Sequence, residues 1–333
     1  MQDLNEFLEY RLSKYLWKSF PPILLVLGTF GNTLAILVLM QRKNRRSTSA
    51  LFLIALASAD ILVLWLGLLR QWIKYTFGFD IRDVSVTGCK MHVFLVYTAF
   101  HCSSWFLVAF TCERFLAVLF PLCVNGFCTY KNGICLIALL TVGLVLLNSH
   151  LFYGVTLIQY VSRNSTTRWI CDVVNDDVYQ KFHKTWVWID NCIYSLIPSL
   201  LLLIVNLSII LRLVWRRLER RTHVVLASST KEKLPQITAT LITTSLVFVL
   251  CTTPISVILI EYAHGHHDYE SNTRAFALFS LKWVLVNILS YMNNVLNFVL
   301  YFLSGSRFRR QTKDFLFTSL GNCKPKQEIN VIT

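Results

Sequence analysis

Phe110-Thr111-Cys112-Glu113-Arg114-Phe115 closes the third long apolar run of this chain, with Arg114 twenty-five residues beyond Cys89 and Pro121 shortly after. A glutamate and an arginine set against hydrocarbon cost roughly 2.5–3.5 kcal/mol each at the centre of a membrane helix, and less near an interface. A pair kept at that depth faces a protein interior or the inner mouth of a helix bundle. Glu113 and Arg114 therefore read as a functional element, and their position at a span end points to a switch.

The sequence around this pair is that of a membrane protein. The 333 residues are 55% hydrophobic and 15% charged, with a mean hydropathy of +0.53, outside the range of soluble globules. Seven stretches reach the about twenty apolar residues that a bilayer crossing needs. They cover roughly 20–40, 50–70, 92–120, 134–158, 186–213, 237–263 and 276–303. The expected fold is all-α, a seven-helix transmembrane bundle. Residues 1–19 form an outer N-terminal segment and not a cleaved leader, 20–303 the bundle, and 304–333 a tail. Within that tail, 306–320 has Phe308, Phe315, Leu316 and Leu320 on one face and Arg309, Arg310 and Lys313 elsewhere. That pattern predicts a short amphipathic helix lying in the inner interface.

Cations set the orientation. With the N-terminus outside, the segments on the cytoplasmic side carry seventeen Lys and Arg against eleven outside, while eleven acids lie outside and four inside. Most of the net +14 is thus an inner-surface charge, suited to anionic lipid and an acidic cytosolic partner and not to nucleic acid. In this topology only Cys89 and Cys171 of the ten cysteines fall in outer segments, where the compartment is oxidising. They have one pairing, which pins the second outer loop to the top of span three. Asn164-Ser165-Thr166 in that loop is a glycosylation sequon on the outer side.

The landmarks fall in an order that resembles the rhodopsin-like G-protein-coupled receptors over residues 20–323. Gly31-Asn32 lies in span one, Leu56-Ala57-Ser58-Ala59-Asp60 in span two, and Cys89 with Glu113-Arg114-Phe115 at the two ends of span three. Pro198 lies in span five, Phe248, Cys251 and Pro254 in span six, and Asn297 and Tyr301 in span seven, before Phe308-Arg309. The stretch from Trp65 to Phe115 is most similar to invertebrate neuropeptide receptors.

The resemblance implies roles. Glu113 would restrain Arg114 at rest, and outward movement of span six would release it toward a heterotrimeric G protein, with Phe115, Asn297 and Tyr301 in the same machinery and arrestin as a further partner. Asn32, Pro198, Phe248 and Pro254 would form the hinge and core. Asp60, Ser103, Asn293 and Asn297 would hold an allosteric sodium ion, with no other cofactor. Cys323 would be palmitoylated, and the protein would sit in the plasma membrane. The sequence departs from the family in several places: span four has no Trp, Thr252 stands for the usual Trp of span six, Phe298 for the Pro after Asn297, Asn206 for the Tyr of span five, and Leu234 for the acid at the base of span six. The last predicts a weaker resting restraint.

The ligand is read by exclusion. Tyr291 stands where opsins carry the retinal lysine, and Val96 where amine receptors carry an aspartate. Around the outer mouth, Arg70, Gln71, Val96, Tyr97, Asp172, Trp186, Asp190, Glu261, Tyr262 and Tyr291 offer charged and aromatic anchors. Such groups suit a short peptide with a basic residue and an amidated end. A transporter would show repeated halves with broken helices. A membrane enzyme would show a nucleophile–base pair or a metal-binding spacing. Neither pattern is present.

Overall fold

The computed structural model describes residues 4–42, 44, 46–120, 124–161, 167–222, 234–263, 273–304 and 306–319. Among them are seven helices long and apolar enough to cross a membrane: Leu8–Leu39, Thr48–Phe77, Val86–Leu119, Tyr130–Gly154, Asp177–Trp215, Ile242–Glu261 and Thr273–Leu300. In chain order they are spans one to seven. A further helix, Ser306–Ser319, comes after span seven, as its amphipathic pattern predicts.

The connections obey local chemistry. Ser47, Ser85 and Thr129 lie just before spans two, three and four, and their side chains accept from Ala50, Gly88 and Asn132 N–H. Each satisfies a donor that the first helical turn leaves open. Span two ends at Gly78, whose φ of 69° gives the left-handed cap that glycine adopts without strain. Large apolar side chains such as Val26, Phe30, Leu139 and Leu200 point outward, where a bilayer would cover them. Phe52, Leu56, Leu107, Leu202 and Phe248 fill the interior.

Two helices begin well before the hydropathy runs imply, by nine residues or more. Span one starts at Leu8, so most of residues 1–19 belongs to it and is not a separate tail. The cause is tertiary: Trp17 is 1% exposed and stacks on Tyr75 with ring centroids 5.0 Å apart, and Trp72 Nε1 donates to the Lys18 carbonyl at 3.2 Å. Span five starts at Asp177, with the Asp176 carboxylate accepting from Val178 N–H. Its first turns pack through Tyr179 and Trp186, a burial that the polar composition of 177–185 hides.

Spans two and five each contain one π-helical turn, Leu64–Leu68 and Cys192–Leu196. A π turn inserts one residue, rotates the rest of the helix about its axis and recurs at functional sites. Pro198 lies just beyond the π turn of span five, and Pro254 lies inside span six. Over the mouth, strands β1 (Val155–Val161) and β2 (Thr167–Val173) form an antiparallel hairpin with Leu157 opposite Cys171. The Cys89–Cys171 disulfide fastens β2 to the top of span three. Gly154, before β1, allows close approach, since a Cβ there would collide with the Tyr179 hydroxyl.

Candidate functional site: a polar axis through the bundle

At the hairpin end of the bundle, Asp80 is 3% exposed and accepts from Arg70 at 3.0 and 2.7 Å and from Arg82 at 3.3 and 3.2 Å. Burial alone would raise the Asp80 carboxyl. The hydrogen bonds and charges of Arg70 and Arg82 outweigh it and hold the group well below the usual carboxylate range. Arg70 is therefore committed within the protein and is not a free ligand anchor as the sequence suggested. Asp83 carries the cluster to the hairpin, accepting from Cys171 N–H at 2.8 Å and Arg168 at 3.4 Å.

Below the hairpin, span three offers Tyr97 and, one turn deeper, His101. His101 is 1% exposed. Its Nε2 is 3.0 Å from Asp190 Oδ1 of span five, and its Nδ1 is 3.0 Å from Asn148 Nδ2 of span four. Phe100 contacts Tyr194 and Tyr291 edge-on or tilted, and the Tyr194 hydroxyl meets Ser290 Oγ at 2.9 Å. Trp186, expected to line the mouth, is instead 3% exposed in an aromatic cluster with His150 and Phe182. Asp172 lies on the exposed side of the hairpin, where its carboxylate accepts from Val173 N–H. Gln71, Val96 and Glu261 are partly buried.

In the middle of the bundle the π turn of span five sets Ser195 against Thr252, both fully buried. Ser195 Oγ donates to Thr252 Oγ1 at 3.1 Å, and Thr252 donates to the Phe248 carbonyl at 2.9 Å. A hydroxyl pair thus joins spans five and six where Thr252 replaces the expected Trp. The same turn offers the Ile193 carbonyl to Trp105 Nε1.

Asp60 is 0% exposed. Its Oδ1 accepts from Ser103 at 2.6 Å and Asn294 at 2.7 Å, and its Oδ2 from Asn297 at 2.7 Å. A buried carboxylate needs such donors. Here the structure differs from the expected set: Asn294, and not Asn293, reaches Asp60, because one residue turns a helix by about 100°. Asn32 braces this region from span one by donating to the Asn294 carbonyl at 2.9 Å. The amide oxygens of Asn293, Asn294 and Asn297 are buried without a hydrogen-bond partner.

At the end opposite the hairpin, Arg114 binds both oxygens of Glu113, its own chain neighbour. Ser49 of span two completes the arrangement, donating to Glu113 at 3.2 Å and accepting from Arg114. Thr48 Oγ1 donates to the Cys128 carbonyl at 2.9 Å. Asn44 and Gln311 exchange two amide hydrogen bonds of 3.2 and 3.0 Å, tying the inner loop to the last helix. Phe298, where a proline was expected, packs on Gly31 and on Phe302 and Phe308.

The sequence reading missed His101 and Asn148 as a pair, Asp80, Ser49, Ser195 and Asn294. The i, i+4 spacing of Tyr97 and His101 was the one available signal for the first. The others depend on which residues of separate spans meet. Asn164, Cys323 and the side chains of Leu234, Tyr262 and Tyr301 lie outside the described residues.

Comparison with known proteins agrees with the fold. Residues 31–301 match the 7 transmembrane receptor (rhodopsin family), and the chain belongs to that family. It is a multi-pass membrane receptor and not an enzyme. It is 26% identical to the galanin receptor type 2 of Homo sapiens over 298 residues, covering 86% of this chain and 69% of that one. It is 24% identical to the allatostatin-A receptor of Bombyx mori, covering 85% and 74%, and 24% identical to the human G-protein coupled receptor 65, covering 96% and 91%.

Proposed function

We propose that this receptor binds a short extracellular peptide of the neuropeptide class and activates a heterotrimeric G protein through outward movement of span six and release of Arg114. The N-terminus faces outside, the protein sits in the plasma membrane, and arrestin reads the activated inner face. The observation that carries the reading is the Glu113–Arg114–Ser49 arrangement at the inner end of span three, below a mouth rimmed by a hairpin and lined with aromatic and acidic groups. The galanin and allatostatin-A receptors among its relatives support a peptide over an amine. Val96 and Tyr291 supply neither an amine counter-ion nor a retinal lysine.

A monovalent cation fits beside Asp60. The carboxylate, the Ser103 hydroxyl and the partnerless amide oxygens of Asn294 and Asn297 form an oxygen-rich donor set suited to sodium. The bound ion would supply a charge that favours the resting packing of spans two, three and seven. Asn164 on the outer loop would carry glycan, and Cys323 a palmitoyl group.

The test is a peptide library, including galanin and allatostatin-A peptides, applied to cells expressing the chain with a promiscuous G protein and a calcium reporter. A saturable response to one peptide class, absent in Arg114→Ala cells of equal surface expression, is the expected result. A response undiminished by Arg114→Ala would overturn the coupling mechanism.

A further inference from the structure

Among the described residues, His101 is the one ion-pair partner that Asp190 meets. Its side chain keeps 15% exposure while its partner His101 keeps 1%, so the acid is the part of the pair that a ligand reaches. Among the described residues, no lysine or arginine lies within ion-pair distance of it, and only Oδ1 accepts a hydrogen bond. Around it stand Tyr97, Tyr194, His150 and His183. An acid in the interior of a membrane bundle ordinarily has a partner of opposite charge.

His101 could supply that charge only as an imidazolium, and the geometry opposes it. Asn148 Nδ2 donates to the Leu144 carbonyl at 2.9 Å and to His101 Nδ1 at 3.0 Å. Turning the amide over would set Asn148 Oδ1 against the Leu144 carbonyl, oxygen facing oxygen. The carbonyl therefore fixes the amide, and the amide makes His101 Nδ1 an acceptor. The ring proton sits on Nε2 and is donated to Asp190. This assignment comes from the hydrogen-bond network. It leaves the carboxylate oriented, with its charge uncompensated and Oδ2 open.

We infer that Asp190 is the anchor for a cationic group of the ligand, a guanidinium or an ammonium, and that His101 and Asn148 are the positioning residues that present it. The inference deepens the peptide-receptor reading by naming where the basic group of the peptide lands. It rests on that reading only for the source of the cation.

The test needs no activating peptide, so its outcome is separate from that reading. Purified receptor is melted alone and with N-acetyl-argininamide, its neutral isostere N-acetyl-citrullinamide, or glycinamide as a bare ammonium. Asp190→Asn keeps the acceptor for His101 and removes the uncompensated charge. It should melt no lower than wild type, and up to roughly 1–4 °C higher. N-acetyl-argininamide or glycinamide should raise the melting temperature of wild type but not of Asp190→Asn, and citrullinamide should raise neither. The effective cation distinguishes guanidinium from ammonium. His101→Leu should weaken the cation effect by roughly tenfold in midpoint concentration, the value of one charge-assisted hydrogen bond. His101→Gln, which keeps an N–H donor, should restore it. A melting temperature several degrees lower for Asp190→Asn would show an internal His101–Asp190 ion pair and overturn the proposal. So would equal stabilisation of wild type by citrullinamide, or none by either cation. If Asp190→Asn does not fold, the wild-type comparison of argininamide with citrullinamide decides alone.

Discussion

Glu113 and Arg114 are sequence neighbours whose side chains close on each other, and Ser49 caps both from span two. In the proposed mechanism this pair is the restraint that sets the resting population of the receptor. Glu113→Gln weakens it without opening a large cavity, and a loss of about 1–2 kcal/mol corresponds to a factor of roughly 5–30 in the active population. Basal G-protein activity, measured without ligand at matched surface expression, should rise accordingly. A folded, surface-expressed and silent Glu113→Gln would make Glu113 structural. Asp80 makes a different prediction, because its carboxyl is held below the usual carboxylate range. A depressed folded-state pKa contributes stability that is fully present above the unfolded value near 4 and is lost as pH falls below it. The Asp80 contribution to the melting temperature should therefore be constant from about pH 6 to 8 and decline only in acid, and Asp80→Asn should abolish that acid-dependent part. Asp80→Asn should also lower stability at neutral pH by about 1–3 kcal/mol, since it leaves Arg70 and Arg82 half-buried without their acid.

At the scale of elements, two of the contacts that hold the hairpin rim make predictions. The disulfide ties β2 to span three, and Gly154 lets span four end against Tyr179. Cys89→Ala and Cys171→Ala should each abolish surface ligand binding, and the double variant should be no worse than either, because one bond is lost in all three. Additive losses would mean that the thiols act separately. Gly154→Ala forces a methyl group into the buried Tyr179 side chain, an overlap costing about 1–3 kcal/mol, and should lower the melting temperature. Tyr179→Phe in the same chain should relieve part of that loss. The π turn of span five turns Tyr194 toward Ser290 and Ser195 toward Thr252, so one element couples the pocket to both spans seven and six.

For the molecule as a whole, the charge asymmetry predicts its orientation. In sealed vesicles a protease on the cytosolic side should cut within 214–236 and leave 159–185 intact, and Asn164 should carry glycan. The reverse pattern would overturn the outside N-terminus. The seven spans, the amphipathic helix after them and the class of receptor were legible in the sequence because hydropathy and the Glu-Arg pair are local, and a bilayer makes local apolarity decisive. Cys89 and Cys171 were legible as a pair because the topology expected from the charge distribution leaves only these two cysteines in outer segments. What lay beyond the sequence is whatever depends on rotation about a helix axis or on contact between distant spans. Asn294 in place of Asn293 at Asp60 is a matter of one helical step. Arg70 looked like a free anchor until Asp80, ten residues on, folded back onto it. His101 looked isolated because its partners, Asn148 and Asp190, are 47 and 89 residues away. Composition and periodicity record which face of a helix is apolar, whereas the meeting of three polar side chains from three helices is decided only when the bundle packs.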